Sequence, residues 1–337
     1  MEFYYANTKI KLYRCASWGG AIFTVVYSHI LIFCMTSYPE SFVIRLLRLF
    51  YLNAFFFISG YLFYKPTETF NKEKVKRILI KKTTKILIPT IVMASIYWYS
   101  HGISMFMAIF DQAKMGYWFT FVLYEMFLLL ACVMAILNHN HKKTETGILT
   151  VLGITSLVAF RIGDFESDAM GLLSAFNFCF YFPLFVLGML GKKYNSKFQR
   201  LLDSKISFAF MFFMVMVSLV IKIPLFFVSV TVVLLSFGFA HRVEVTSPNF
   251  YRNGIGRILS LLGKFSMEIY LIHYFLLFEM PNFLSEYFKE LSMSCRNVSF
   301  PEFLVVGSVA LSICLGAITI AKILRKIPYV GSVLLGE

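Results

Sequence analysis

His29, Glu125, Glu268 and His273 are ionisable side chains set inside long apolar runs of this sequence. Ionisable groups at bilayer depth are costly, so they face a bundle interior or a wet cavity, often for function. That makes these four the chemical candidates, and among them the imidazoles of His29 and His273 can work as general bases near neutral pH. For each, the structural alternative is a histidine that only hydrogen-bonds a neighbouring helix. His29 lies fifteen residues beyond Arg14, a helical rise of about 22 Å. That spacing puts Arg14 at the cytoplasmic interface and His29 deep toward the outer half. Ser266, Tyr270 and His273 are spaced i, i+4 and i+7, so they share one helix face. Glu125 follows Trp118 by seven residues and shares its face. It can orient a histidine, bind a sugar, or be a satisfied buried carboxylate. Glu268 stands four residues after Lys264 near the cytoplasmic end, where snorkelling or an ion pair is a simpler role than catalysis.

The richest basic segment is Lys72, Lys74, Lys76, Arg77, Lys81, Lys82 and Lys85, followed by Pro89. Two readings stay open. Positive residues hold cytoplasmic loops inside and attract anionic lipid headgroups. Alternatively, Lys82 and Lys85, on one helix face at the membrane edge, meet a phosphate-rich cosubstrate from the cytoplasm.

The elements that carry these residues follow from composition. The chain has 337 residues, of which 58% are hydrophobic and only 15% charged, with a net charge of +14. Charged residues make up about a quarter of ordinary soluble domains, so the soluble classes are largely excluded. Nucleic acid is not an expected partner, because the bases sit between apolar runs instead of on a wet face. About ten spans are expected, near 15–35, 42–64, 86–105, 117–137, 147–160, 172–190, 206–221, 223–240, 265–281 and 301–321. With the N-terminus inside, 25 of the 32 Lys and Arg fall on cytoplasmic segments, as the positive-inside rule requires. The expected fold is therefore all-α: a polytopic transmembrane helix bundle, both termini cytoplasmic, forming one membrane domain over 1–337. The six cysteines form neither a disulfide framework nor a metal-ligand spacing, so no metal is expected. No signal-peptide cleavage pattern precedes the first apolar run, which is expected to be retained as a span.

Together the motifs resemble the acyltransferase-3 family of membrane acyltransferases. Asn53-Ala-Phe-Phe-Phe-Ile-Ser-Gly-Tyr-Leu62 resembles its FFxxSG helix, which draws in Ser59. His29 resembles the histidine ending its first helix, and Lys82-Thr-Thr-Lys85 before Pro89 its basic RxxR-then-Pro element. Trp118-Phe119, Phe182-Pro-Leu-Phe-Val-Leu-Gly188, Gly263-Lys-Phe-Ser266 and Ile269-Tyr-Leu-Ile-His273 are similar to its later signatures. The resemblance implies ten core helices and transfer of an acyl group, usually acetyl from acetyl-coenzyme A, to hydroxyls of exported molecules. It implies His29 as base or acyl relay, and Lys82 and Lys85 as holders of the coenzyme phosphates. The family's first-helix basic residue falls at Trp18 here; Arg14, one turn earlier, is its expected substitute. The basic element is built on Lys, a point charge without the bidentate fork of Arg. The hydrolase-like periplasmic extension of some members is not expected, which leaves the chemistry to the bundle.

The expected function is thus O-acetylation of a cell-surface polysaccharide or its lipid-linked precursor. The expected partners are that glycan and membrane lipids, in the bacterial cytoplasmic membrane. A transporter or flippase for a lipid-linked saccharide is the rival; it lacks support from paired, Gly/Pro-broken helices in corresponding halves. Acceptor sugar, acyl chain and oligomeric state are not encoded in any motif.

Overall fold

A computed structural model describes residues 2–35, 42–66, 70–137, 142–218, 221, 223–247, 249–250, 254–284, 286–287, 290 and 300–336; the side chains of 2–17, 42–46, 142–143, 244 and 300–301 lie outside this description. The described residues form helices and no strand. In chain order they are α1 (Glu2–Phe33), α2 (Phe42–Phe63), α3 (Lys72–Lys82), a π-helical turn (Thr83–Leu87), α4 (Ile88–Ser100) and α5 (Met105–Phe110). Then come a 3-10 turn (Lys114–Gly116), α6 (Trp118–Leu137), α7 (Lys142–Ile162), α8 (Asp168–Leu172) and α9 (Ala175–Lys193). The remainder is α10 (Asn195–Asp203), α11 (Lys205–Ser218), α12 (Leu225–Thr246), α13 (Gly254–Lys264), α14 (Ser266–Ile272), a second 3-10 turn (His273–Leu276), α15 (Phe300–Leu324) and α16 (Val330–Leu335).

Among the described residues five helices are long and apolar enough to cross a bilayer: α6, α7, α9, α12 and α15. A sixth arises if α10 and α11, bent by 74° at their junction, are counted as one span. The described apolar stretches of α1 and α2, Trp18–Phe33 and Leu47–Phe63, are shorter. The run expected as a ninth span, 265–281, is broken: α14 ends at Ile272, a 3-10 turn follows, and 277–281 are not helical. Apolar composition alone does not reveal such a break. The runs at 206–221 and 223–240 do become separate helices, with Pro224 directly preceding α12.

By internal contact the chain divides into two compact units, Met1–Phe55 with Gln199–Lys322, and Phe56–Phe198 with Ile323–Glu337. In the first unit α1 lies directly on α13. A Cβ added at Gly19 would stand 1.8 Å from the Leu259 carbonyl oxygen and 3.0 Å from the Gly263 nitrogen. Small residues allow such backbone approach, which is how membrane helices gain packing where lipid offers no hydrophobic drive.

The second unit uses the same device between the end of α2 and α9. A Cβ at Gly60 would lie 1.9 Å from the Phe185 oxygen, and one at Gly188 would lie 2.0 Å from the Phe57 oxygen. Two glycines of the sequence motifs are therefore reciprocal packing points. Asn71 caps α3, its Oδ1 accepting from the Lys74 N–H at 2.9 Å. The π-helical turn has a local cause. Pro89 has no N–H to return to the preceding turn. The ladder widens there, and the Ile88 N–H bonds the Thr83 carbonyl five residues back. The Thr90 hydroxyl donates to the Ile86 carbonyl at 2.7 Å, satisfying a further acceptor.

Replacing Gly60 by Val is expected to destabilise the protein by about 1–3 kcal/mol or more through overpacking. A thermal melt in detergent, followed by size-exclusion fluorescence, measures this; an unchanged midpoint would contradict the close α2–α9 contact.

Candidate active site

In the first unit the two histidines meet although 244 positions separate them. His29 Nδ1 lies 2.8 Å from His273 Nε2, and the ring planes are 20° apart. His273 Nδ1 lies 3.0 Å from the Ile269 carbonyl oxygen and 2.8 Å from that of Tyr270. His273 is 0% exposed, whereas His29 keeps part of its surface open. Phe33 and Tyr274 close on the His29 ring at 5.4 and 5.1 Å between centroids.

The positions of the two rings follow from the chain. Gly263 contacts Gly19, and both histidines come ten residues later. Two segments that touch at their glycines and run the same way for about 15 Å bring those residues level. Ser266 and Tyr270 are buried in α14, which leads into His273, and the Tyr270 ring centroid is 6.0 Å from that of His273. The polar stripe read from spacing is thus an interior feature.

Arg14 is helical in α1, but its side chain lies outside the described residues. Trp18, at the position where the resemblance places a basic residue, packs edge-on against Phe55 at 5.8 Å. Its buried Nε1 has no hydrogen-bond acceptor among the described residues.

The second unit holds the other candidates. Lys82 and Lys85 occupy different surroundings despite their spacing. The Lys82 ammonium is drawn over the Phe127 ring, 3.5 Å from its centroid, and no described carboxylate pairs with it. The next residue, Thr83, bonds Tyr124 at 2.9 Å, fixing the turn to α6. Lys85 is exposed. Burial, followed by the neighbouring charge of Lys81, pushes the Lys82 amine down to about 8.

Trp118 stacks with Phe56 at 6.4 Å and with Tyr181 at 5.4 Å, forming an aromatic tier at the start of α6. Glu125, on the same helix, is only partly buried. Ser59 is buried in α2 next to the Gly60 contact.

Several polar groups escaped the sequence reading. Glu145, which the apolar runs assign to a loop, is 1% exposed in α7 and pairs with Lys193 at 3.3 Å. Glu302, 2% exposed, accepts a hydrogen bond from the Tyr27 hydroxyl at 3.3 Å. Both stand at the edges of apolar runs, so only their distant partners mark them. Lys114 is 2% exposed in the second unit, its ammonium donating to the Ile109 and Gly171 carbonyls at 2.8 and 2.9 Å. Burial lowers its amine below the usual lysine range, opposed by Glu125 and Asp111. It ties two short helices, α5 and α8, at their C-terminal ends. Among the described residues no cluster of three His, Cys, Asp or Glu could hold a metal ion.

An all-α bundle with several bilayer-length helices and a buried histidine pair defines a multi-pass membrane protein with a potential acid–base centre. The family model described as an acyltransferase domain matches residues 19–321, and the chain belongs to that family, acyltransferase-3. No curated protein and no solved structure gives a significant match.

The Lys82 surroundings generate a pH prediction. Below about 8 the amine carries its proton and attracts an anion; above it the free protein loses that charge. Affinity for a polyphosphate is expected to fall as pH rises through this value, and binding near it should take up protons. Calorimetry in buffers of different ionisation enthalpy reads both, and Lys82→Met should abolish the proton uptake.

Proposed function

We propose that the protein is an integral-membrane O-acyltransferase that moves acetyl from acetyl-coenzyme A to a hydroxyl of a cell-surface polysaccharide or its lipid-linked precursor. Its setting is the bacterial cytoplasmic membrane, with both termini on the cytoplasmic side. The observation that carries the reading is the His29–His273 pair, inside a chain that the acyltransferase family covers almost end to end. His29, the more open ring, is the group available to an acceptor. It takes the hydroxyl proton as oxygen attacks the acyl carbon, or itself accepts the acyl group transiently.

Lys82 and Lys85 hold the phosphates of the donor in this reading. The Lys82 ammonium supports it: it rests on the Phe127 ring, and among the described residues no carboxylate neutralises its charge. Support for a lipid-linked acceptor comes from an apolar cavity of about 540 Å³ within the first unit. Phe50, Phe208, Phe212, Leu235, Phe239 and Leu259 contribute to its wall, which suits a hydrocarbon chain. The aromatic tier at Trp118 and the carboxylate of Glu125 have the chemistry of a sugar subsite.

His29→Ala is expected to lower acetyl transfer by about 100-fold or more while leaving expression intact, as loss of a general base does. Transfer of labelled acetyl from coenzyme A to a glycan by purified protein is the measurement. Full activity in the variant sinks the mechanism, and absence of transfer by the unsubstituted protein favours a transport role. Replacing Lys82 and Lys85 together by Ala should raise the KM for acetyl-coenzyme A more than that for the acceptor. Equal changes would leave those lysines a topological role.

A further inference from the structure

The hydrogen bonds around the histidine pair decide which nitrogen of His29 is basic. Backbone carbonyls only accept, so His273 Nδ1, within 3.0 Å of the Ile269 oxygen and 2.8 Å of the Tyr270 oxygen, must carry a proton. A neutral His273 then holds its lone pair on Nε2. The atom facing that lone pair at 2.8 Å is His29 Nδ1, which must therefore be the donor. The lone pair of a neutral His29 is left on Nε2.

From this we infer that His273 is a positioning residue: it locks His29 in the Nδ1–H tautomer, makes Nε2 the basic nitrogen, and shares the charge when that nitrogen is protonated. The inference rests on the reading of His29 as the base and adds a division of labour within the pair. His273 is 0% exposed and so acts only through His29, which retains open surface. The aromatic contacts of Phe33 and Tyr274 hold the His29 ring while the hydrogen bond sets its orientation.

The step balances as follows. The acceptor oxygen attacks the thioester carbon; a C–O bond forms and the C–S bond breaks. The hydroxyl proton passes to His29 Nε2 and from there to the departing sulfur, which leaves as thiol. While the proton resides on the pair, one positive charge spreads from His29 through its Nδ1–H to His273. The carbonyls of Ile269 and Tyr270 then face the far nitrogen and stabilise that charge. In serine hydrolases a buried aspartate orients the histidine. Neither ring of this pair is hydrogen-bonded to a carboxylate among the described residues. A neutral imidazole does the orienting here without placing a fixed charge in the membrane interior, where charge is costly.

The test compares His273→Gln with His273→Leu. Glutamine supplies an acceptor oxygen to His29 and an amide donor to the backbone carbonyls; leucine supplies neither. His273→Leu is expected to lower kcat by at least about 10–100-fold, the cost of losing an outer partner of a metal-bound histidine, with both KM values unchanged. His273→Gln should recover most of the loss. Equal losses in the two variants overturn the inference. Nitrogen NMR of histidine-labelled protein, without substrate, gives a readout independent of turnover. In the unsubstituted protein His29 Nε2 should resonate as an unprotonated nitrogen; a proton found there overturns the inference. If the tautomer is as inferred but purified protein transfers no acyl group to any glycan, the functional reading fails and the pair stands.

Discussion

The contact of α1 with α13 at Gly19 is the constraint on which the first unit depends. Leu259 presents its carbonyl where a Cβ of residue 19 would have to be, so the two backbones touch with no side chain between them. A contact this close leaves little freedom for one segment to slide or roll on the other. Ten residues further along both, His29 and His273 arrive within hydrogen-bond distance. A hydrogen bond tolerates displacement of only a few tenths of an ångström before it weakens. The level at which the two rings meet is therefore set some 15 Å away, at a glycine contact, while their hydrogen bonds set orientation.

The second unit repeats the principle with a different outcome. Gly60 and Gly188 let α2 and α9 meet backbone to backbone, and around them the Phe63, Phe127 and Phe185 rings fill the interior. The same α6 that presents Phe127 to Lys82 presents Tyr124 to Thr83. Packing and charge are thus handled by adjacent turns of one helix. The buried Glu145–Lys193 pair fastens α7 to the end of α9. Pairs of this kind are costly to break, since removing one partner strands the other in an apolar interior.

The helical nature of the chain was legible, because apolar run length is a one-dimensional signal. So was the separation of α11 and α12, which Pro224 announces. The partnership of His29 with His273 was not legible, because spacing reports a shared face only within one helix, and these residues lie 244 positions apart. Glu145 and Glu302 were missed for the same reason: each sits where a run of apolar residues begins, and its burial depends on a remote partner. The interruption after Ile272 was hidden by continued hydrophobicity through Phe278, since an apolar sequence does not say whether its backbone stays helical. The family motifs mixed two kinds of information. His29 and His273 are polar groups bonded to each other, whereas Gly60 and Gly188 are packing points, and a pattern of letters does not distinguish them.

The end of α16 carries a consequence of a different kind. Gly336 closes that helix in a left-handed conformation, and a Cβ there would stand 2.6 Å from the Cα and the carbonyl oxygen of Lys85. The basic turn is made 251 positions before the residue that packs against it. While the helices between them are synthesised and inserted, that turn waits without this neighbour. Order of assembly, as much as sequence, decides when this corner of the protein becomes native.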